Sequence, residues 1–228
     1  MESAVTTVAT GDAPSPLTRS VDEQWLAVLQ QVCGRTAHEL KGALNGVAVN
    51  LEVVRSRSSR AEAAAASVSP FASSAADQLD AVVDMSEALL KLARAPREPV
   101  DLTETVANLT SLLAPSARGD GGSLRVELPS RELTAATVRP GGNVVRLVIG
   151  ATLLAALARK GDIRCKVHLG EKAIVHVECA DAEGPLDLPA DVLAAAAASE
   201  ITVHGEGQSI SLAFPRAGAA RTRTSERA

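Results

Sequence analysis

The stretch LQQVCGRTAHELKGALNGVAVNLEVV, residues 29–54, sets the architecture. Leu29, Cys33, Thr36, Leu40, Leu44, Val47, Leu51 and Val54 recur at spacings of three and four, the period of one face of an α-helix. No proline interrupts the pattern between Val21 and Arg60. A long helix with a heptad-like apolar seam follows from these residues alone.

On the C-terminal side of this stretch, residues 60–70 are rich in Ala and Ser and end at Pro70, which marks a bend. A second stripe, Ala75, Leu79, Val82, Ser86, Leu89 and Ala93, predicts a second helix that stops at Pro96. The two helices over residues 20–95 make a hairpin, and pairing two hairpins into a four-helix bundle would bury both stripes. Residues 96–122 read as a linker holding a short helix, Leu102 to Leu113, broken at Pro115. From residue 123 the grammar changes. Leu124 to Leu128, Ile163 to Leu169, Ile174 to Cys179 and Ile210 to Phe214 read as strands, the first three by their alternation. Val144 to Arg159 and Asp191 to Ser199 read as helices. Residues 123–215 therefore predict a small α/β sandwich, and the whole chain is α+β. Residues 1–19 and 216–228 read as tails.

Composition excludes several classes. Three aromatic residues, Trp25, Phe71 and Phe214, leave no stacking platform for single-stranded nucleic acid. A net charge of -4 offers no field for a phosphate backbone, so no nucleic-acid partner is expected. Cys33, Cys165 and Cys179 are too scattered for a disulfide framework or a zinc site. His168, His176 and His204, with His204 placed in a turn, have no metal-ligand spacing, so no metal is expected. Met1-Glu2-Ser3-Ala4 has neither a basic flank nor an apolar core, and the longest apolar run is too short to span a bilayer. No membrane partner and a cytoplasmic location are the expectations.

On a wheel at about 100° per residue, His38 shares its face with Gln31, Gly34, Arg35, Lys41, Gly42 and Asn45. The seam of Leu29, Thr36, Leu40 and Val47 lies opposite. A lone histidine so placed is most simply a solvated surface residue. Two features argue for more. Glycine inside a helix costs up to about 1 kcal/mol relative to alanine, yet Gly34 and Gly42 flank this histidine on both sides. Arg35 and Lys41 add positive charge within one turn, which suits a phosphoryl group.

The string His38-Glu39-Leu40-Lys41-Gly42-Ala43-Leu44-Asn45-Gly46-Val47 resembles the phospho-acceptor box of sensor histidine kinases. His-x-Leu-Lys-Gly is also similar to the motif of monomeric histidine-phosphotransfer domains. The resemblance extends in order through Pro99-Val100-Asp101-Leu102 and the strands and helix of the kinase ATP-binding fold. It implies a dimerisation and histidine-phosphotransfer hairpin, with His38 as the phosphorylated residue and Glu39 assisting the imidazole. It implies receiver domains of response regulators as partners, and a homodimer. The pattern departs from a working kinase at identifiable positions. Ala151 and Ala155 stand where an asparagine would meet magnesium and phosphates, and alanine offers no oxygen ligand. Asp181-Ala182-Glu183-Gly184-Pro185 replaces a glycine-rich nucleotide box. The segment from Gly184 to the last strand already holds an Ala-rich helix and leaves no room for a lid. No cofactor is therefore expected, ATP and magnesium binding being lost, and the resemblance points to the histidine phosphotransferase kind. Gly42 also replaces the Thr or Asn of kinases that dephosphorylate their partners.

Val49 and Val53 fall on the His38 side of the same wheel, further along the helix. With Gly34, Gly42 and Asn45 they form the candidate receiver-docking surface, if the hairpin does not cover them. An ATP-dependent kinase and a non-catalytic dimeric scaffold stand as alternatives to phosphotransfer.

Overall fold

A computed structural model of the chain describes residues 19–59, 65–129, 136–180 and 184–217. Most of both expected tails, part of the expected bend, and Asp181 and Glu183 lie outside these residues. Helix α1 spans Val21–Ser58 and α2 spans Ser69–Ala93. Ser20 starts α1 with a capping box. Its Oγ accepts from the Glu23 amide, and the Glu23 carboxylate accepts from the Ser20 amide, which satisfies donors the first turn leaves free. Between the two helices Asn50 donates to Ser74 and Gln78, a polar layer in the hairpin.

The faces that pack overlap the expected stripes only in part: Thr36 and Ala75 are buried, and Leu29, Leu40 and Leu89 pack against the core. On α2 the buried residues are Ala75, Met85, Ala88 and Leu92, while Leu79 is half exposed and Ala93 exposed. On α1, Leu44 and Leu51 of the seam are also half exposed. Each helix keeps large apolar residues outside the packing of the chain: Leu44, Val49 and Leu51 on α1, Leu79, Val83 and Leu90 on α2.

Strand β1, Val100–Asp101, pairs with β3, Thr137–Val138. Helix α3, Leu102–Gly119, lies between them. The expected break at Pro115 is absent. Proline forfeits one helical hydrogen bond, but Ser116 and Ala117 are buried beyond it and Leu112 and Leu113 before it. Packing on both sides outweighs that loss. Nor is this segment a linker, because Leu102, Val106 and Leu109 are fully buried in a core shared with its neighbours.

The five-stranded sheet contains β2 (Ser123–Glu127), β4 (Asp162–Leu169), β5 (Lys172–Ala180), β6 (Thr202–Glu206) and β7 (Ser209–Pro215), in the order β2-β4-β5-β7-β6. β2 runs parallel to β4, and the other neighbours are antiparallel. Strand β6 is not among the strands that the sequence pattern predicts. His204 lies on it rather than in a turn, and the turn is Gly207-Gln208. The burial alternation is regular: Ile163, Cys165 and Val167 face inward on β4, Val175 and Val177 on β5, Leu212 and Phe214 on β7. The opposite face carries pairs such as Lys166 with Glu127 at 3.1 Å and His176 with Ser211 at 2.9 Å.

Helix α4, Gly142–Leu157, is buried nearly all round, as a helix apolar on every side must be. It lies under the sheet and also against α1, with α5 (Ala190–Ala198) beside it. One core therefore runs without a gap from Trp25 on α1 to Phe214 on β7.

Candidate functional site

His38 lies near the middle of α1 and is exposed. Gln31, Gly34, Lys41, Gly42 and Asn45 on the same face are exposed as well. A Cβ added at Gly34 or Gly42 would meet nothing within 4 Å. Compare Gly46, where a Cβ would lie 2.5 Å from the Gln78 side chain, or Gly150, where it would lie 2.7 Å from Val28. Packing against Val28 accounts for Gly150, the neighbour of Gly46 is the flexible end of Gln78, and no packing within the chain accounts for the pair that flanks His38.

The charges around His38 divide. Lys41 forms no ion pair among the described residues. Arg35 is held by Asp120, just past the end of α3, at 3.7 Å, with both side chains about two-fifths exposed. A pair so exposed contributes about 0–1 kcal/mol. Glu39 forms no hydrogen bond with His38 among the described residues. Its Oε1 accepts from the Ser116 hydroxyl at 3.5 Å, so the carboxylate turns toward α3. The reason is geometric, since adjacent residues on a helix diverge by about 100°. His38 itself forms no hydrogen bond among the described residues. Further along, Val49 is 63% exposed and Val53 half-buried. Glu52 beside them pairs with Arg55 at 2.8 Å.

The α/β layer is fastened to the hairpin by residues that periodicity did not single out. Arg146 on α4 is buried, and its Nη1 and Nη2 donate to the carbonyls of Lys91, Leu92 and Arg94. These are carbonyls at the end of α2, which a cation satisfies well. Burial lowers the Arg146 pKa, and the Glu104 carboxylate opposes that shift. A single charge in an otherwise apolar helix was the sequence signal for it. Trp25 and Val28 of α1 lie over Gly150, and Asn143 donates to Asp22 at 2.8 Å.

Ala151 and Ala155 face α1. They line a cavity of about 470 Å³ together with Ala27, Val28, Gln31 and Asp191. Among the described residues no three His, Cys, Asp or Glu side chains gather as a metal site requires, and no helix is long and apolar enough to cross a membrane.

No protein-family model matches the chain, and no curated protein matches it. Solved structures do. The Acinetobacter baumannii histidine kinase AdeS is 16% identical at a TM-score of 0.39, over 79% of this chain and 98% of that one. The blue-light activated histidine kinase EL346 of Erythrobacter litoralis is 18% identical at a TM-score of 0.39, over 60% of this chain and 54% of that one. At these values neither likeness decides an activity, which has to come from the side chains of this chain.

Proposed function

We propose that the chain is a histidine phosphotransfer protein of a two-component phosphorelay, taking a phosphoryl group on His38 from one receiver aspartate and giving it to another. The observation that carries this reading is the open face of α1. An exposed histidine stands between two mid-helix glycines that no internal contact requires, with Lys41 unpaired among the described residues one turn away. A neutral imidazole nitrogen forms the N–P bond as the P–O bond of the acyl phosphate breaks, and the receiver carboxylate leaves with the electron pair. Passing the group on is the reverse, so no nucleotide is consumed. The chain's task is positioning and charge compensation.

Two further observations favour a phosphotransfer protein over a kinase. Ala151 and Ala155 face α1 and offer no metal ligand. The α/β layer shares one core with the hairpin and is clamped to it by Arg146, whereas a nucleotide-binding layer must deliver its phosphate to the histidine. The protein acts as a homodimer through Leu44, Leu51, Leu79, Val83 and Leu90, which are 48–57% exposed on the hairpin.

The test is transfer from a phosphorylated receiver domain to the purified chain, with His38→Gln as control and magnesium-ATP alone as the second arm. Label should reach the chain from the receiver, depend on His38, and not arrive from ATP. Label from ATP would make the protein a kinase. No His38-dependent transfer would leave a scaffold.

A further inference from the structure

Asp120 lies just past the C-terminus of α3, far from the acceptor helix in sequence, and yet its carboxylate reaches Arg35. Arg35 is the cation three positions before His38, where helix side chains are neighbours. Long helical side chains lean toward the N-terminus of their helix, so a group on the imidazole extends over the turn of Gly34 and Arg35. Gly34 leaves that space clear. We infer that Asp120 is a positioning residue for phosphotransfer: it holds Arg35 while His38 is unmodified and yields it to the phosphoryl group. The inference rests on the phosphotransfer reading of His38.

The geometry suits an exchange. At 3.7 Å the pair is long for a charge-assisted hydrogen bond, and both partners are wet. A phosphoryl dianion presents more charge and three acceptor oxygens to the same guanidinium. Lys41, unpaired among the described residues, is available in both states. Asp120 therefore sets how strongly His38 retains the phosphoryl group, and a carrier that retained it too strongly would not pass it on. The neighbouring contact, Ser116 to Glu39, places α3 on the same flank of His38 and keeps Asp120 within reach.

The experiment uses the full chain and two phosphoryl sources. The first is phosphoramidate, whose P–N bond breaks with loss of ammonia as the imidazole N–P bond forms. The second is a phosphorylated receiver. Asp120→Asn should raise the equilibrium ratio of phosphorylated chain to phosphorylated receiver by about two- to fivefold, the range a half-exposed ion pair spans. The gain should shrink with added salt. It should vanish in an Arg35→Gln background, and Asp120→Glu should restore the original ratio. A loosened end of α3 would instead lower the melting temperature and act equally in both backgrounds. An unchanged ratio, or an equal shift with and without Arg35, overturns the role of Asp120 alone, provided His38 is phosphorylated. If neither source phosphorylates His38, the phosphotransfer reading fails and this inference with it.

Discussion

At the scale of single residues, glycine separates two kinds of constraint. Gly42 sits mid-helix in open space, so the backbone gains nothing from it. Gly42→Ala should raise stability, by up to about 1 kcal/mol, because alanine forms helix more readily. The same methyl stands within one turn of His38 and should slow transfer from a receiver. Thermal melting and transfer rate would thus move in opposite senses, and a change that left the rate untouched would remove the case for clearance. Cys165 gives a residue-scale prediction of another kind. Burial pushes its thiol up to about 12 from an ordinary 9.0. A neutral thiol favoured by the fold contributes stability that is fully present below pH 9.0 and is lost as the pH rises toward about 12. The chain has no tyrosine to titrate in that window. Denaturant melts of Cys165→Ala should therefore show a shallower alkaline decline than the parent.

At the scale of elements, α1 does two jobs on two faces. One face carries Trp25 and Val28 against α4, and another carries His38 to solvent. Val49 belongs to the second, at 63% exposure. Val49→Asp should leave melting temperature and association nearly unchanged, since the charge remains hydrated, while transfer to or from a receiver slows through loss of an apolar contact. A collapse in stability would mean the face is covered. Gly150 belongs to the first job. A Cβ there would meet Val28 at 2.7 Å, with Trp25 at 3.6 Å and Leu109 at 3.8 Å. Gly150→Ala should cost about 1–3 kcal/mol, the range for overpacking a filled core. Trp25 is the only tryptophan, so its fluorescence should report the shift directly.

At the scale of the molecule, the question is what covers the exposed apolar residues of the hairpin. Leu44 and Leu51 lie on the far side of the wheel from His38, well away from its exposed face. Association through them would leave both histidines of a dimer open. Leu79→Asp on α2 should convert the dimer to monomer in sedimentation without unfolding it, because Leu79 is already 50% exposed within one chain. A wild-type monomer at micromolar concentration would exclude the bundle. It would leave His38 with the monomeric form of the same chemistry.

Residues 29–54 were enough to establish a long helix, because the helical period is a local property of apolar spacing. The exposed direction of His38 follows from the same arithmetic. So do the alternation of β4 and β5 and the two glycines beside the histidine. Local pattern could not say which apolar residues of α2 pack, since Leu79 and Met85 are both large and apolar and a wheel registers no packing partner. It could not carry α3 through Pro115, where burial of Ser116 and Ala117 outweighs one lost hydrogen bond. It could not find β6, whose Thr202, Val203, His204, Gly205 and Glu206 lack a clean alternation and gain their place by pairing with β7. The electrostatics around His38 were also beyond it. Arg35 and Glu39 read as the histidine's own helpers until α3 brings Ser116 and Asp120 beside them. Residues so far apart in the chain are joined by the packing of helices on a shared core, and it is that packing, not the local string, that commits one charge beside His38 and leaves another uncommitted.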